Sequence, residues 1–102
     1  MRKIIGGKMY NTETATNVGE YENLQDISAS NYYQEILYKK KTGEIFLYGK
    51  GNARSKYGVK CEQNVFSPGE NIIPLTEEDA KIYAEKYLGV DEYIALFGEP
   101  EE

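Results

Sequence analysis

Two segments dense in Tyr, Ile, Leu and Phe, Tyr32 to Lys39 and Glu44 to Tyr48, stand on either side of Lys40-Lys41-Thr42-Gly43. This arrangement restricts the fold more than any other feature. A four-residue connection with glycine at the position needing positive φ closes a hairpin, not a crossover, so the two strands must be antiparallel neighbours. Their residues suit a pleated, half-buried surface. A lone hairpin cannot cover such a surface, and the remaining chain has to supply further strands and a second layer. With 102 residues there is room for one core, with a radius of gyration of about 13 Å, and not for two.

The flanking segments supply candidates. Lys3-Ile4-Ile5, Gly6-Gly7 and Lys8-Met9-Tyr10 read as a tight hairpin whose glycines accept positive φ. A short helix is expected next, capped by Asn11 or Thr12, with Glu13 in its first turn and Gly19 as its stop. Glu20 to Asn31 is polar and reads as loop. Beyond the central hairpin, Gly49 to Gly58 (GKGNARSKYG) is a glycine-bracketed cationic loop. Val59 to Glu62 is a strand, Gln63 to Asn71 with Pro68-Gly69 a turn, and Ile72-Ile73 a short strand ended by Pro74.

Thr76-Glu77-Glu78-Asp79 resembles a capping box, with Thr76 as N-cap. Ala80, Tyr83, Ala84, Tyr87 and Leu88 follow at helical spacing and form one stripe that must cover the sheet. Gly89 ends this helix; Asp91 caps a second, in which Val90, Ile94 and Phe97 share a face and Gly98 closes the end. The expected architecture is α+β: a small antiparallel sheet of four or five short strands, a short N-terminal helix, and a C-terminal helix pair packed on one face. Residues 1–98 form a single domain and 99–102 an acidic tail. Edge strands rich in Tyr and Ile leave a homodimer open.

Most familiar active sites are excluded. The chain has no His, no Trp and only Cys61, so it holds no intramolecular disulfide, no His-based metal site and no His general base. Cys61 reads as a small buried strand residue, since a catalytic thiolate needs a polarising partner. No catalytic residue, metal or cofactor is expected. There is no run of 18 apolar residues, and Met1 to Tyr10 lacks the pattern of a secretory signal, so the expectation is a cytoplasmic protein without membrane contact.

Charge is distributed unevenly. Met1 to Tyr38 carries three basic and five acidic residues, a balance of −2. Lys39 to Lys60 carries seven basic residues against Glu44 alone, +6, and Cys61 to Glu102 carries two basic against eleven acidic, −9. If folding keeps these apart, two patches can meet different partners. In the cationic loop, Tyr48, Lys50, Asn52, Arg54, Lys56 and Tyr57 are candidates for touching an anion or a nucleic acid; the loop lacks Walker spacing, and the alternative is a solvated surface. The ten tyrosines serve the core, a protein interface or base stacking. Glu77, Glu78, Asp79, Glu85, Asp91 and Glu92 form either an ordinary solvated face or an acidic surface that occupies a nucleic-acid channel of another protein, carboxylates standing where phosphates would lie.

The strings Lys3 to Ala15 (KIIGGKMYNTETA), Phe46-Leu47-Tyr48-Gly49, Ser55-Lys56-Tyr57 and Ile72 to Ala80 (IIPLTEEDA), with Asp91-Glu92-Tyr93 and Phe97-Gly98-Glu99, resemble a family of small proteins carried by phages, plasmids and conjugative elements of Gram-positive bacteria, some of which look like type II-A anti-CRISPR proteins. The resemblance spans nearly the whole chain and brings no residue roles with it. It departs at Lys50, where an acidic residue is expected after Phe-Leu-Tyr-Gly. It implies a non-enzymatic inhibitor, acting in the cytoplasm of a host bacterium, that binds an RNA-guided nuclease, either the type II effector or its guide ribonucleoprotein, with contact to RNA open. The alternative is a small accessory protein that binds or cleaves RNA through the basic loop 49–58.

Overall fold

In a computed structural model describing residues 1–102, the chain forms β1 (Arg2–Ile5), β2 (Lys8–Asn11), β3 (Thr16–Glu22), β4 (Tyr33–Lys39), β5 (Ile45–Gly51), β6 (Val59–Glu62), β7 (Val65–Ser67), β8 (Gly69–Leu75), α1 (Glu77–Tyr87) and α2 (Val90–Phe97). The α+β class expected from the sequence is the class observed. Strands β3-β4-β5-β8, in that order, form an antiparallel sheet, and β1–β2 and β6–β7 are separate two-stranded ribbons.

The central hairpin closes as expected, with Gly43 at φ 95° and Lys39 opposite Ile45. Strand β5 runs on through Gly49-Lys50-Gly51, because β4 and β8 flank it on both sides and supply ladder partners to its last residue. The cationic loop therefore shrinks to 52–58. Strand β8 likewise starts at Gly69 and passes Pro74, where sequence reading ends it; at a sheet edge a missing N–H forfeits no ladder bond.

The expected N-terminal helix is absent. Asn11 does cap a turn: its side chain accepts from the Glu13 N–H at 2.9 Å, and its carbonyl accepts from Thr14 and Ala15. The turn then stops, since Thr16 and Val18 favour extended backbone; Thr16 pairs with Lys39 of β4, and Val18 is the residue bulged out between Asn17 and Gly19. Gly19, expected as a helix stop, instead lies in β3 beside a bulge, and it is buried close under Leu88. The loop after β3 accordingly begins at Asn23 instead of Glu20.

The sheet is covered on both faces. On one, Leu37, Ile45 and Leu47 meet Ala80 of α1, with Val18, Leu75, Tyr83, Leu88, Leu96 and Phe97 around them. On the other, Phe46 and Ile72 lie under Tyr10 of the N-terminal hairpin, whose ring meets Phe46 edge-on at 5.5 Å. Burial of each of the Leu, Ile and Phe side chains among these is worth about 2 kcal/mol. The helices start and stop largely as read: Thr76 accepts from the Asp79 N–H at 3.1 Å, and Gly98 closes α2 at φ 83°. The cap of α2 is Gly89, not Asp91; the Glu92 carboxylate accepts the Gly89 N–H at 3.0 Å and leaves Asp91 within the first turn.

Both sheet edges are blunted. On β8, the Ile72 N–H is taken by the side chain of Asn71 at 2.9 Å, and Pro74, two residues on and facing the same way, has none. On β3, Asn17 accepts the Gly19 N–H at 3.1 Å within the bulge. Each edge thus withholds at least one donor from strand addition.

Candidate functional site

Strand alternation puts Glu35 on the helix-covered face of the sheet, in register with Tyr21 on one side and Gly49 on the other. Because Gly49 has no side chain, the ring of Tyr57 lies directly over its Cα, where any Cβ would overlap it. From there the Tyr57 hydroxyl donates to Glu35; the Tyr83 hydroxyl, from α1, donates at 3.0 Å, and the Lys56 ammonium stands 2.8 Å away. Glu35 is completely buried, while the Lys56 side chain is half in solvent. A buried carboxylate survives only when paired and hydrogen-bonded, and three donors meet that need here.

The same contacts set the titration of the donors. Burial, and then the hydrogen bond and charge of Glu35, push the Tyr57 hydroxyl far above the ordinary tyrosine value. Burial followed by the charge and hydrogen bond of Glu35 do the same to Tyr83. Burial works against the charge on Lys56, but Glu35 outweighs it and raises the lysine pKa. All three hold their protons firmly at neutral pH. Rings extend the cluster outward: Tyr33 lies 6.0 Å from Tyr57 and 4.9 Å from the Lys56 ammonium, and Tyr21 packs on Tyr87 at 4.4 Å. A groove of about 480 Å³ runs past Lys56 and Tyr57 towards Asn71 and Ile73.

The six loop candidates are dispersed. Tyr48 and Lys50 lie in β5 on the hairpin-covered face; the Tyr48 hydroxyl donates to Glu70 at 2.7 Å, and burial plus that bond push its pKa up to about 12. Asn52 is occupied internally, its amide donating to the carbonyls of Ile27 and Ala29 at 2.9 and 2.8 Å and so clamping the 23–32 loop. Lys56 and Tyr57 belong to the Glu35 cluster. Only Arg54 is exposed and unpaired in the loop itself, and its guanidinium lies 4.7 Å from the centre of the Phe66 ring. Loop 52–58 thus does not form an anion cradle from these residues.

The six carboxylates fall into two groups set by helix polarity. Glu77, Glu78 and Asp79 occupy the first turn of α1, and Asp91 and Glu92 that of α2, where the helix dipole favours anions; Glu85 lies two turns into α1. All are exposed. Glu77 pairs with Lys81 at 3.6 Å and Glu92 accepts from Gly89, whereas Glu78, Asp79, Glu85 and Asp91 make no side-chain bond. No cation of the 39–60 segment pairs with a carboxylate of the 61–102 segment: Lys40 pairs with Glu44 and Lys56 with Glu35. Lys39 shares a groove of about 400 Å³ with Asp91 and Glu92, and Lys50 faces Glu70 across the ladder, yet neither closes an ion pair.

Sequence reading missed Glu35, Tyr83, Phe66 and Lys60 as members of clusters. For Glu35 a signal was present: a lone carboxylate in a strand of apolar and aromatic residues, opposite a glycine-rich stretch. Cys61, read as buried, is exposed, its thiol 3.0 Å from the Ser67 hydroxyl, because β6 belongs to a ribbon outside the main sheet. No set of three acidic or cysteine side chains comes together to hold a metal, and no helix is long and apolar enough to cross a membrane. No family model, no curated protein and no solved structure matches the chain.

Proposed function

We propose that this chain is a non-enzymatic protein that binds and inhibits an RNA-guided nuclease, a type II effector or its guide ribonucleoprotein, in the manner of the type II-A anti-CRISPR proteins its sequence resembles. One observation carries the reading: no ion pair closes between the cations of 39–60 and the carboxylates of 61–102, and although Lys50 stands opposite Glu70 and Lys39 beside Asp91 and Glu92, Glu78, Asp79 and Glu85 keep their charge for a second macromolecule. Such nucleases hold nucleic acid in cationic channels, and the exposed carboxylates of α1 and α2 are of the right sign to enter one. Long-range attraction of this kind speeds association and weakens with salt. The partner would be met in the cytoplasm of a bacterial host.

A general acid or base works best with a pKa near the working pH, and Lys56, Tyr57 and Tyr83 are all displaced upward, away from it, so the Glu35 cluster is not poised for proton transfer at neutral pH. The test is a pull-down of purified type II effector, with and without guide, followed by a target-cleavage assay. Retention at low salt and loss of cleavage are expected. Absence of a complex with either form removes the reading.

A further inference from the structure

The ribbon β6–β7 stands outside the four-stranded sheet, and every residue of β6 is exposed. A two-stranded ribbon adds little stability of its own, yet this one holds a large apolar ring, Phe66, at 38% exposure. The register sets Lys60 directly across from Phe66. An irregularity at Cys61 then pairs Glu62 with Val65, one position along from Phe66 and so on the other side of the ribbon. Arg54 reaches over from the neighbouring loop and lies 4.7 Å above the Phe66 ring. Neither Arg54 nor Lys60 forms an ion pair.

We infer that Arg54, Lys60 and Phe66 form a contact site for a single-stranded polynucleotide. With the Arg54 guanidinium over one side of the ring, the exposed remainder of Phe66 is what an unpaired base can pack against, and Arg54 and Lys60, which form no ion pair, suit the flanking phosphates. A duplex keeps its bases inside and cannot use the ring. The site is held in place before any ligand arrives: the Arg54 N–H is bonded to the Ser30 carbonyl at 2.8 Å, and Asn52 clamps the same loop. On a molecule of net charge −5 the affinity rests on this local patch, so a Kd on the order of 10⁻⁵ M is expected. The inference rests on the binding-protein reading above only for its setting, where the strand would be RNA or DNA held by the nuclease.

The test uses fluorescently labelled oligouridine and oligothymidine of about a dozen nucleotides, with a duplex of equal length, followed by anisotropy at several salt concentrations. Both single strands should bind, the duplex much more weakly, with a log–log salt slope near −1.4 for about two phosphates. Phe66→Ala should weaken binding at least about five-fold, Phe66→Trp should retain it, and Arg54→Glu or Lys60→Glu should flatten the slope. Circular dichroism checks that each variant is folded. Absence of single-strand binding at low salt, equal binding of duplex, or an unchanged Phe66→Ala affinity overturns the inference. So does a Phe66→Ala variant that loses guide-free effector while keeping the oligonucleotide, which would make the face a protein contact. A failed effector pull-down with oligonucleotide binding intact rejects the inhibitor reading alone.

Discussion

Glu35 faces Gly49 across the β4–β5 ladder, and the space left by the missing side chain of Gly49 is filled by the Tyr57 ring that donates to the Glu35 carboxylate. The most deeply buried charge in the protein is thus supported by an absent side chain. Removing that vacancy tests the arrangement.

Gly49→Ala should be among the most damaging single-atom additions available. A methyl group there collides with Tyr57, whose displacement also strips a hydrogen bond from a buried carboxylate. A loss of about 3 kcal/mol is expected from overpacking and the unmet acceptor together. Urea unfolding with a midpoint unchanged from wild type would contradict it.

Alkaline titration should unfold the protein. Tyr48, Tyr57, Tyr83 and Lys56 all have folded pKa values raised above those of the unfolded chain, so the stability they contribute is complete below about pH 10. It is lost as pH rises through the folded values, for Tyr48 about 12. Each group that titrates only in the unfolded chain removes up to about 1.4 kcal/mol per pH unit. With no His and no Trp in the chain, stability should change little around neutrality and tyrosinate absorbance reads the transition cleanly. Simultaneous ionisation of all ten tyrosines near pH 10 without unfolding would show that the cluster does not protect its members.

Asn52→Ala should loosen residues 23–32 and leave the sheet in place. Two side-chain bonds to the carbonyls of Ile27 and Ala29 disappear, at a cost of about 2 kcal/mol. Hydrogen exchange should accelerate in that loop while β4 and β5 keep their protection. Uniform acceleration throughout the chain would argue that the clamp supports the whole fold.

On the inhibitor reading proposed above, neutralising the free carboxylates, Glu78→Gln with Glu85→Gln and Asp91→Asn, should slow association with a type II effector by about ten-fold at low salt and affect dissociation much less. The three side chains make no internal bond, and only Glu78 and Asp91 lose a helix-dipole interaction, so stability should fall by no more than about 2 kcal/mol. Surface plasmon resonance separates the two rates. An unchanged association rate would place the acidic helices outside the interface.

Much of the architecture was legible because it is local. The Gly6-Gly7 and Gly43 turns, the Thr76 cap, the α1 stripe and the Gly98 stop each depend on a few neighbouring residues, and each appears where its residue chemistry requires. The N-terminal helix is not distinguishable from a turn in sequence, because Asn11 begins a turn that a helix would share, and only pairing with β4 draws Thr16 to Glu22 into the sheet. The cationic loop is shorter than its composition suggests for the same reason: Gly49 to Gly51 are strand residues because β4 and β8 pair with them from distant parts of the chain.

Residue order alone thus established the α+β class, the turns and the uneven distribution of charge, since propensity, periodicity and sign act over a few positions. Folding settled which charges stay free. Glu35 meets Tyr57 from 22 residues away and Tyr83 from 48, and Arg54 meets Phe66 through a ribbon that no local pattern ties to it. Burial and pairing depend on distances through space, which chain closure across many residues creates and no short window of sequence contains.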